Sequence, residues 1–238
     1  AYNYFKQYAS TYPGDPLAAE AQYFAAEALF NSKDFNKAIN EYRIVYQRFS
    51  NSNFAPQALY NEGWAYYELK QTDKMIDAFK RLASRYPTSP FAGDGLFTIG
   101  DYYYNSKDYL KAAEAYNELI AKFPNYHKIE EAKALVYDLS QINSYLEYEQ
   151  AMKFFDARNL EKAIEELTKL LTKYPDASIA VGCQVNIAAS YEMLEEYRKA
   201  AEWYRKIIGQ YSNSKDDNER GAVNFAKEHL EWIEDNYL

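Results

Sequence analysis

The sequence predicts an all-α chain built as a solenoid of about five helix pairs, with a leading half-repeat and a C-terminal capping helix. Composition points there first. With 238 residues, 48% hydrophobic and 18% aromatic, the chain can bury a long continuous core, while 8 Gly and 7 Pro are too few for the many tight turns of an all-β protein. A period is the second observation. An aromatic residue followed by Pro or Ser recurs at Tyr12, Phe49, Tyr86, Phe123, Tyr174 and Tyr211, with spacings of 37, 37, 37, 51 and 37 residues. Such periods mark stacked repeats. The third is a repeated turn: NSKDF at Asn31 to Phe35 returns as NSKDY at Asn105 to Tyr109, two periods later. NSKDD at Asn213 falls outside this register and is read as chance.

Within each period two small positions recur. The first is Ala26, Gly63, Gly100, Ala151 and Ala188; the second is Ala38, Met75, Ala112, Ala163 and Ala200. Four residues past the second stands a bulky anchor, Tyr42, Phe79, Tyr116, Leu167 or Tyr204. Each unit therefore reads as two amphipathic helices in which a residue without bulk lets the backbones approach and the anchor fills the adjoining groove. A mid-helix Gly costs about 1 kcal/mol relative to Ala, so Gly63 and Gly100 should have a packing reason.

Residues 1–13 match only the second helix of a pair, which places its partner upstream of Ala1. The chain opens on AYNYFKQY with neither an initiator Met nor a secretory leader, as a fragment of a longer chain would. Repeats then follow at 16–50, 54–87, 91–124, 128–175 and 177–212, and Pro87, Pro124 and Pro175 stop the second helices they follow. The 51-residue spacing carries 14 extra residues, close to four helical turns. Neither Gly nor Pro occurs from Tyr126 to Tyr174. One first helix lengthened to about Lys128 to Ala157 and projecting beyond the superhelix is the simplest reading, and a break near Ser140 to Ser144 is the alternative. As a helix it would present Tyr137, Tyr145 and Tyr148 as a second contact surface. At 216–238, Val223, Ala226, Leu230, Ile233 and Tyr237 form one apolar face, with Glu228, Glu231, Glu234 and Asp235 turned away. A polar-backed last helix is what caps a stack.

The pattern resembles the tetratricopeptide repeat family over essentially the whole chain. The match is densest from Leu96 to Pro124, where Leu96, Ile99, Gly100, Tyr103, Tyr109, Ala112, Tyr116, Leu119 and Pro124 occupy the family's helix-packing positions. The resemblance implies a right-handed superhelix and a non-catalytic role in protein-protein interaction. The 37-residue unit and the aromatic-Pro links look like the bacterial cell-envelope subgroup, which includes BamD-type outer-membrane assembly lipoproteins and Tol-Pal-associated coordinator proteins. That subgroup implies a periplasmic or outer-membrane-associated scaffold. The alternative is a regulatory or targeting module of a larger enzyme or secretion component, and a cytoplasmic setting is equally compatible with the chemistry of the chain. Where the family favours Gly in the turn between paired helices, this chain has Lys33, Lys70, Lys107, Arg158 and Glu195. In a left-handed conformation each would carry a strain of roughly 1 kcal/mol.

The formal charge of −8 and a pI near 5.0, with no basic block, disfavour nucleic acid and anionic membranes as partners. No apolar run approaches the length of a membrane span, so this part of the chain is not expected to insert. A single Cys183 forms no internal disulfide and reads as a small packing residue. His127 and His229 stand 102 residues apart with no Cys or His at ligand spacing. The acidic pairs Glu165-Glu166 and Glu195-Glu196 read as solvated helix surface. No catalytic residue, metal site or cofactor is expected.

The informative constellation lies on the first helices. Residues three before, one after and four after each small residue form a stripe on one face. These are Tyr23, Glu27 and Phe30; Tyr60, Trp64 and Tyr67; Phe97, Asp101 and Tyr104; then Tyr148, Met152 and Phe155; and Val185, Ala189 and Glu192. In proteins resembling this family the stripe lines the concave groove that holds ligand peptides, which makes the first nine residues the candidate partner-binding set. The other reading is that they stack between neighbouring first helices. Groove members that clamp a carboxylate-terminated tail use Lys, Arg and Asn. This stripe carries aromatics, Glu and Asp, so the expected partner is a protein or peptide with apolar anchors and basic flanks. Self-association through the unpaired N-terminal end is a further expectation.

Overall fold

The computed structural model describes residues 1–238 and contains twelve α-helices and no strands. They are α1 (Tyr2–Thr11), α2 (Ala18–Asn31), α3 (Phe35–Arg48), α4 (Phe54–Glu68), α5 (Thr72–Arg85), α6 (Pro90–Asn105), α7 (Tyr109–Lys122), α8 (Ile129–Asp156), α9 (Leu160–Lys173), α10 (Ala180–Met193), α11 (Tyr197–Tyr211) and α12 (Asp217–Tyr237). From α1 to α7, and again from α9 to α12, each helix packs on the next in sequence, as in an α-α solenoid. Residues 1–136 and 137–238 form two compact units, and the division falls within α8.

The repeated pentapeptide is a helix-turn-helix joint. At Lys33, φ is 62°, and the N–H groups of Lys33 and Asp34 donate to the carbonyls of Phe30 and Leu29, satisfying the open end of α2. Asp34 then caps α3 by accepting from the Lys37 N–H at 3.3 Å. NSKDY repeats the device: Lys107 has φ 61°, Lys107 and Asp108 donate to Tyr104 and Tyr103, and Asp108 accepts from the Lys111 N–H at 3.3 Å. Lys70, Arg158 and Glu195 are left-handed as well, with φ between 56° and 62°. All five turn positions thus hold side chains where glycine would be unstrained.

The small and bulky positions meet as the period predicts. A Cβ built on Gly63 would lie 2.4 Å from Cε1 of Phe79, and one on Gly100 2.4 Å from Cε1 of Tyr116. Glycine is what allows α4 to lie on α5, and α6 on α7, with an aromatic ring between them. Ala26, Ala188 and the anchors Tyr42, Phe79, Leu167 and Tyr204 are fully buried. A charged seam adds to this in the first unit. The Glu62 carboxylate, fully buried on α4, pairs with Arg43 of α3 at 3.1 Å and Arg81 of α5 at 3.6 Å. Removing either partner would leave part of a buried charge uncompensated.

α8 runs unbroken through Ser140 to Ser144, so the lengthened helix forms and the break does not. It does not stand free: Ala132, Leu139, Ser144 and Ala151 are buried along it. In the second unit, Gln141 accepts from the Ser178 N–H at 3.0 Å, and Glu147 accepts from Lys173 at 2.6 Å and from the Tyr174 hydroxyl at 2.9 Å. Tyr137 and Tyr145 are exposed, but Tyr148 turns inward, its hydroxyl accepting from Asn186 at 2.7 Å. The expected surface of three tyrosines is therefore reduced to two. On α12, Val223, Ala226 and Ile233 are buried as expected, whereas Tyr237 is half-exposed and stacks on Tyr197 with ring centroids 3.8 Å apart. No helix is long and apolar enough to cross a membrane.

Candidate functional site

The first helices of the first unit place aromatic residues on one face, and two of them, α4 and α6, enclose an open cavity of about 540 Å3. Its α4 wall is Tyr60, Trp64 and Tyr67; its α6 wall is Asp94, Phe97, Thr98, Asp101, Tyr102 and Asn105, continued by Ser106 just past the helix; Tyr126 and Lys128 close it from the link before α8. Trp64 stands edge-on between Tyr60, at 6.1 Å, and Tyr67, at 5.4 Å, and its ring also reaches Phe79 at 6.1 Å. Half-buried aromatics held this way have little rotamer freedom left to lose on binding.

The polar groups of the cavity are fixed by hydrogen bonds. Asp94 accepts from the Tyr126 hydroxyl at 2.7 Å, Asp101 accepts from the Tyr116 hydroxyl at 2.6 Å, and the Tyr102 hydroxyl lies 3.0 Å from the Thr72 hydroxyl. Lys128 sits over the Phe97 ring, 4.5 Å from its centre. Burial pushes the Asp101 carboxyl above its ordinary range; the Tyr116 hydrogen bond and the Lys128 charge oppose that rise, and the Glu131 charge adds to it. Burial and the carboxylates they face push the Tyr116 and Tyr126 hydroxyls upward, so both remain protonated donors.

Of the nine stripe residues, the structure brings Tyr60, Trp64, Tyr67, Phe97 and Asp101 to this cavity. The other four lie elsewhere. Tyr23 is buried, its hydroxyl accepting from Asn61 at 2.8 Å. Glu27 accepts from Asn61 at 2.7 Å and from the Tyr42 hydroxyl. Phe30 packs on Phe35 at 5.2 Å, and Tyr104 on Tyr109 at 6.0 Å. Phe97, although it lines the cavity, is itself almost fully buried. Glu27 and Asp101 share a structural duty: each accepts from the tyrosine anchor of its own repeat, and Trp64 stands at the same position where the anchor is Phe79.

Sequence reasoning missed Asp94, Thr98, Tyr102, Asn105, Ser106, Tyr126 and Lys128. Asp94, Thr98 and Asn105 were legible, because with Asp101 of the chosen stripe they form an i, i+4, i+7, i+11 row along α6. Tyr126 and Lys128 come from an irregular link whose direction no periodicity encodes. Outside the cavity, Cys183 is fully buried and its thiol is pushed up to about 12 by burial. His127 packs beside Tyr126 at 4.4 Å, and His229 lies 2.8 Å from Glu192 in the other unit. No group of three His, Cys, Asp or Glu side chains converges as metal ligands do.

Successive helix pairs with an open, aromatic-lined cavity between two first helices define a repeat protein of the interaction type. Family models described as tetratricopeptide repeat match residues 1–53 with 148–215, residues 57–89 and residues 93–126. The chain belongs to the tetratricopeptide repeat family, whose members are generally non-catalytic interaction modules. No curated protein matches the sequence. Among solved structures, a tetratricopeptide repeat protein from Parabacteroides merdae is 15% identical, with 100% of this chain and 86% of that chain covered and a TM-score of 0.43. The TPR2AB domain of yeast Sti1, in complex with pHSP90, is 13% identical, with 91% and 98% covered and a TM-score of 0.43. YrrB, described as a TPR protein with an unusual peptide-binding site, is 15% identical, with 96% and 100% covered and a TM-score of 0.39.

Proposed function

We propose that the cavity between α4 and α6 binds a segment of a partner protein carrying apolar anchors flanked by Lys or Arg. The observation that carries this reading is Trp64, half-buried between Tyr60 and Tyr67 and opposed across the cavity by Asp94 and Asp101. Fixed rings offer a floor for apolar side chains, and the two carboxylates outnumber the one lysine at the mouth, which favours a basic ligand. The 37-residue unit and the aromatic-Pro links are the grounds for proposing a scaffold or adaptor role in assembly or maintenance of the bacterial envelope.

The test is titration of a synthetic peptide with two aromatic residues flanked by lysines against the chain and its Trp64→Ala variant. Truncating a central aromatic typically costs about 2 kcal/mol, so binding should weaken roughly thirtyfold. Circular dichroism and melting accompany the titration, because Trp64 also touches Phe79. A variant that melts and binds as the unaltered chain does would refute the assignment.

A further inference from the structure

One residue of the cavity between α4 and α6 breaks the pattern of the links. Five residues past each link aromatic, at the entry to the next first helix, stand Leu17, Phe54, Phe91, Lys128 and Ile179. Three of the apolar members cover an aromatic of the preceding first helix. Phe54 packs on Tyr23 at 5.3 Å, Phe91 on Tyr60 at 5.4 Å, and Ile179 belongs to the buried cluster against which Tyr148 packs. At the last link Asp216 holds the place and caps α12, accepting from the N–H groups of Asn218 and Glu219. Lys128 alone sets a cation there, and its ammonium lies 4.5 Å from the centre of the Phe97 ring. Tyr116 and Tyr126 already pack on that ring, at 5.4 and 6.0 Å, so packing does not call for a lysine.

The place that Lys128 occupies has the chemistry that suits a partner's basic residue: a ring face beneath it, and Asp101, which lines the same cavity, within its field. The lysine is loosely held there. Its side chain is 43% exposed, and its ion pair with Glu131 is long, at 3.8 Å. Glu131 lies in the first turn of α8 and is exposed, so Lys128 can leave the ring and keep a charged partner.

We propose that Lys128 holds the place of the partner's cation: in the free chain it covers Phe97, and a Lys or Arg of the bound segment displaces it from the ring toward Glu131. The inference rests on the reading of this cavity as the partner-binding site. The exchange puts one cation over the ring in place of another, beside the same carboxylate. It also accounts for how Phe97, almost fully buried in the free chain, becomes available to a ligand. The contact that Lys128 gives up is subtracted from what the partner gains, so the lysine lowers the affinity of the site and raises its demand for a basic ligand.

The test is NMR of the chain carrying isotope-labelled lysine, with the Lys128 ε-methylene assigned by its absence from Lys128→Arg. In the free chain the Phe97 ring should hold that resonance upfield of lysines that face no ring, such as Lys133. Saturation with the lysine-flanked aromatic peptide should return it to their position while the Trp64 indole signal shifts. Lys128→Ala, whose melting is checked, should bind the peptide about fivefold more tightly. Should that variant melt early, the Lys128 resonance of the unaltered chain decides. A peptide that shifts Trp64 and leaves Lys128 upfield, or that binds a stably folded Lys128→Ala no more tightly than the unaltered chain, would overturn the displacement and leave the cavity assignment standing. A peptide that shifts neither residue would overturn both.

Discussion

Lys107 holds a φ of 61° in the turn between α6 and α7, and a side chain there crowds the following carbonyl by about 1 kcal/mol or more. Lys107→Gly relieves that crowding and adds entropy to the unfolded chain, which removes part of the gain. The expected net effect is a higher melting midpoint, by roughly half a kcal/mol of stability; a lower one would refute the strain. Gly100 has the opposite sign. An alanine there would raise helix propensity by about 1 kcal/mol, but its Cβ would stand 2.4 Å from the Tyr116 ring, which its hydrogen bond to Asp101 holds in place. Overpacking of that kind typically costs about 1 to 3 kcal/mol, so Gly100→Ala should melt lower, and a neutral or higher midpoint would show that the ring moves aside. Small residues facing bulky ones were legible because both recur at fixed spacing. The partners of the buried hydroxyls were not, so Glu27 and Asp101 were read as groove edges. The readable clue was that Tyr42 goes with Glu27 and Tyr116 with Asp101, whereas Phe79 goes with Trp64.

At the scale of the element, α8 is the informative case. With no Gly or Pro from Ile129 to Asp156, nothing in its sequence ends the helix, and its length was legible for that reason. The direction of Tyr148 was legible too, since 14 residues is close to four full turns and returns Tyr148 to the position that Tyr23 holds in the first repeat. Its inward turn follows from that register and from Asn186, the equivalent of Asn61. Amide exchange should therefore be slow across Ser140 to Tyr148, where Asn143 and Ser144 are buried. Exchange at the rate of an open loop in that stretch would contradict a continuous helix.

For the molecule as a whole, the net charge of −8 creates a field that draws in basic ligands, but at physiological salt the field of an exposed group is screened within about 8 Å. The carboxylates at the cavity, chiefly Asp94 and Asp101, should then set the salt dependence of binding rather than the total charge. Asp101→Asn removes one of them while keeping an oxygen for the Tyr116 hydroxyl. Because the Asp101 carboxyl is raised in the folded chain, the fold binds its proton more tightly than the unfolded chain does. Its contribution to stability is present below the ordinary carboxylate range and is lost as pH rises through the raised value. At neutral pH the variant should accordingly melt no lower than the unaltered chain. Attraction for a cationic ligand runs the other way, growing as the same carboxyl ionises. With a lysine-flanked aromatic peptide, the variant should show a slower association rate, a flatter dependence on ionic strength and a nearly unchanged dissociation rate, since edge charges act on encounter more than on residence. Stopped-flow measurements at several salt concentrations check this. An unchanged salt slope, or a loss confined to the dissociation rate, would show that Asp101 serves only as the acceptor for Tyr116 and that the cavity does not use its charge.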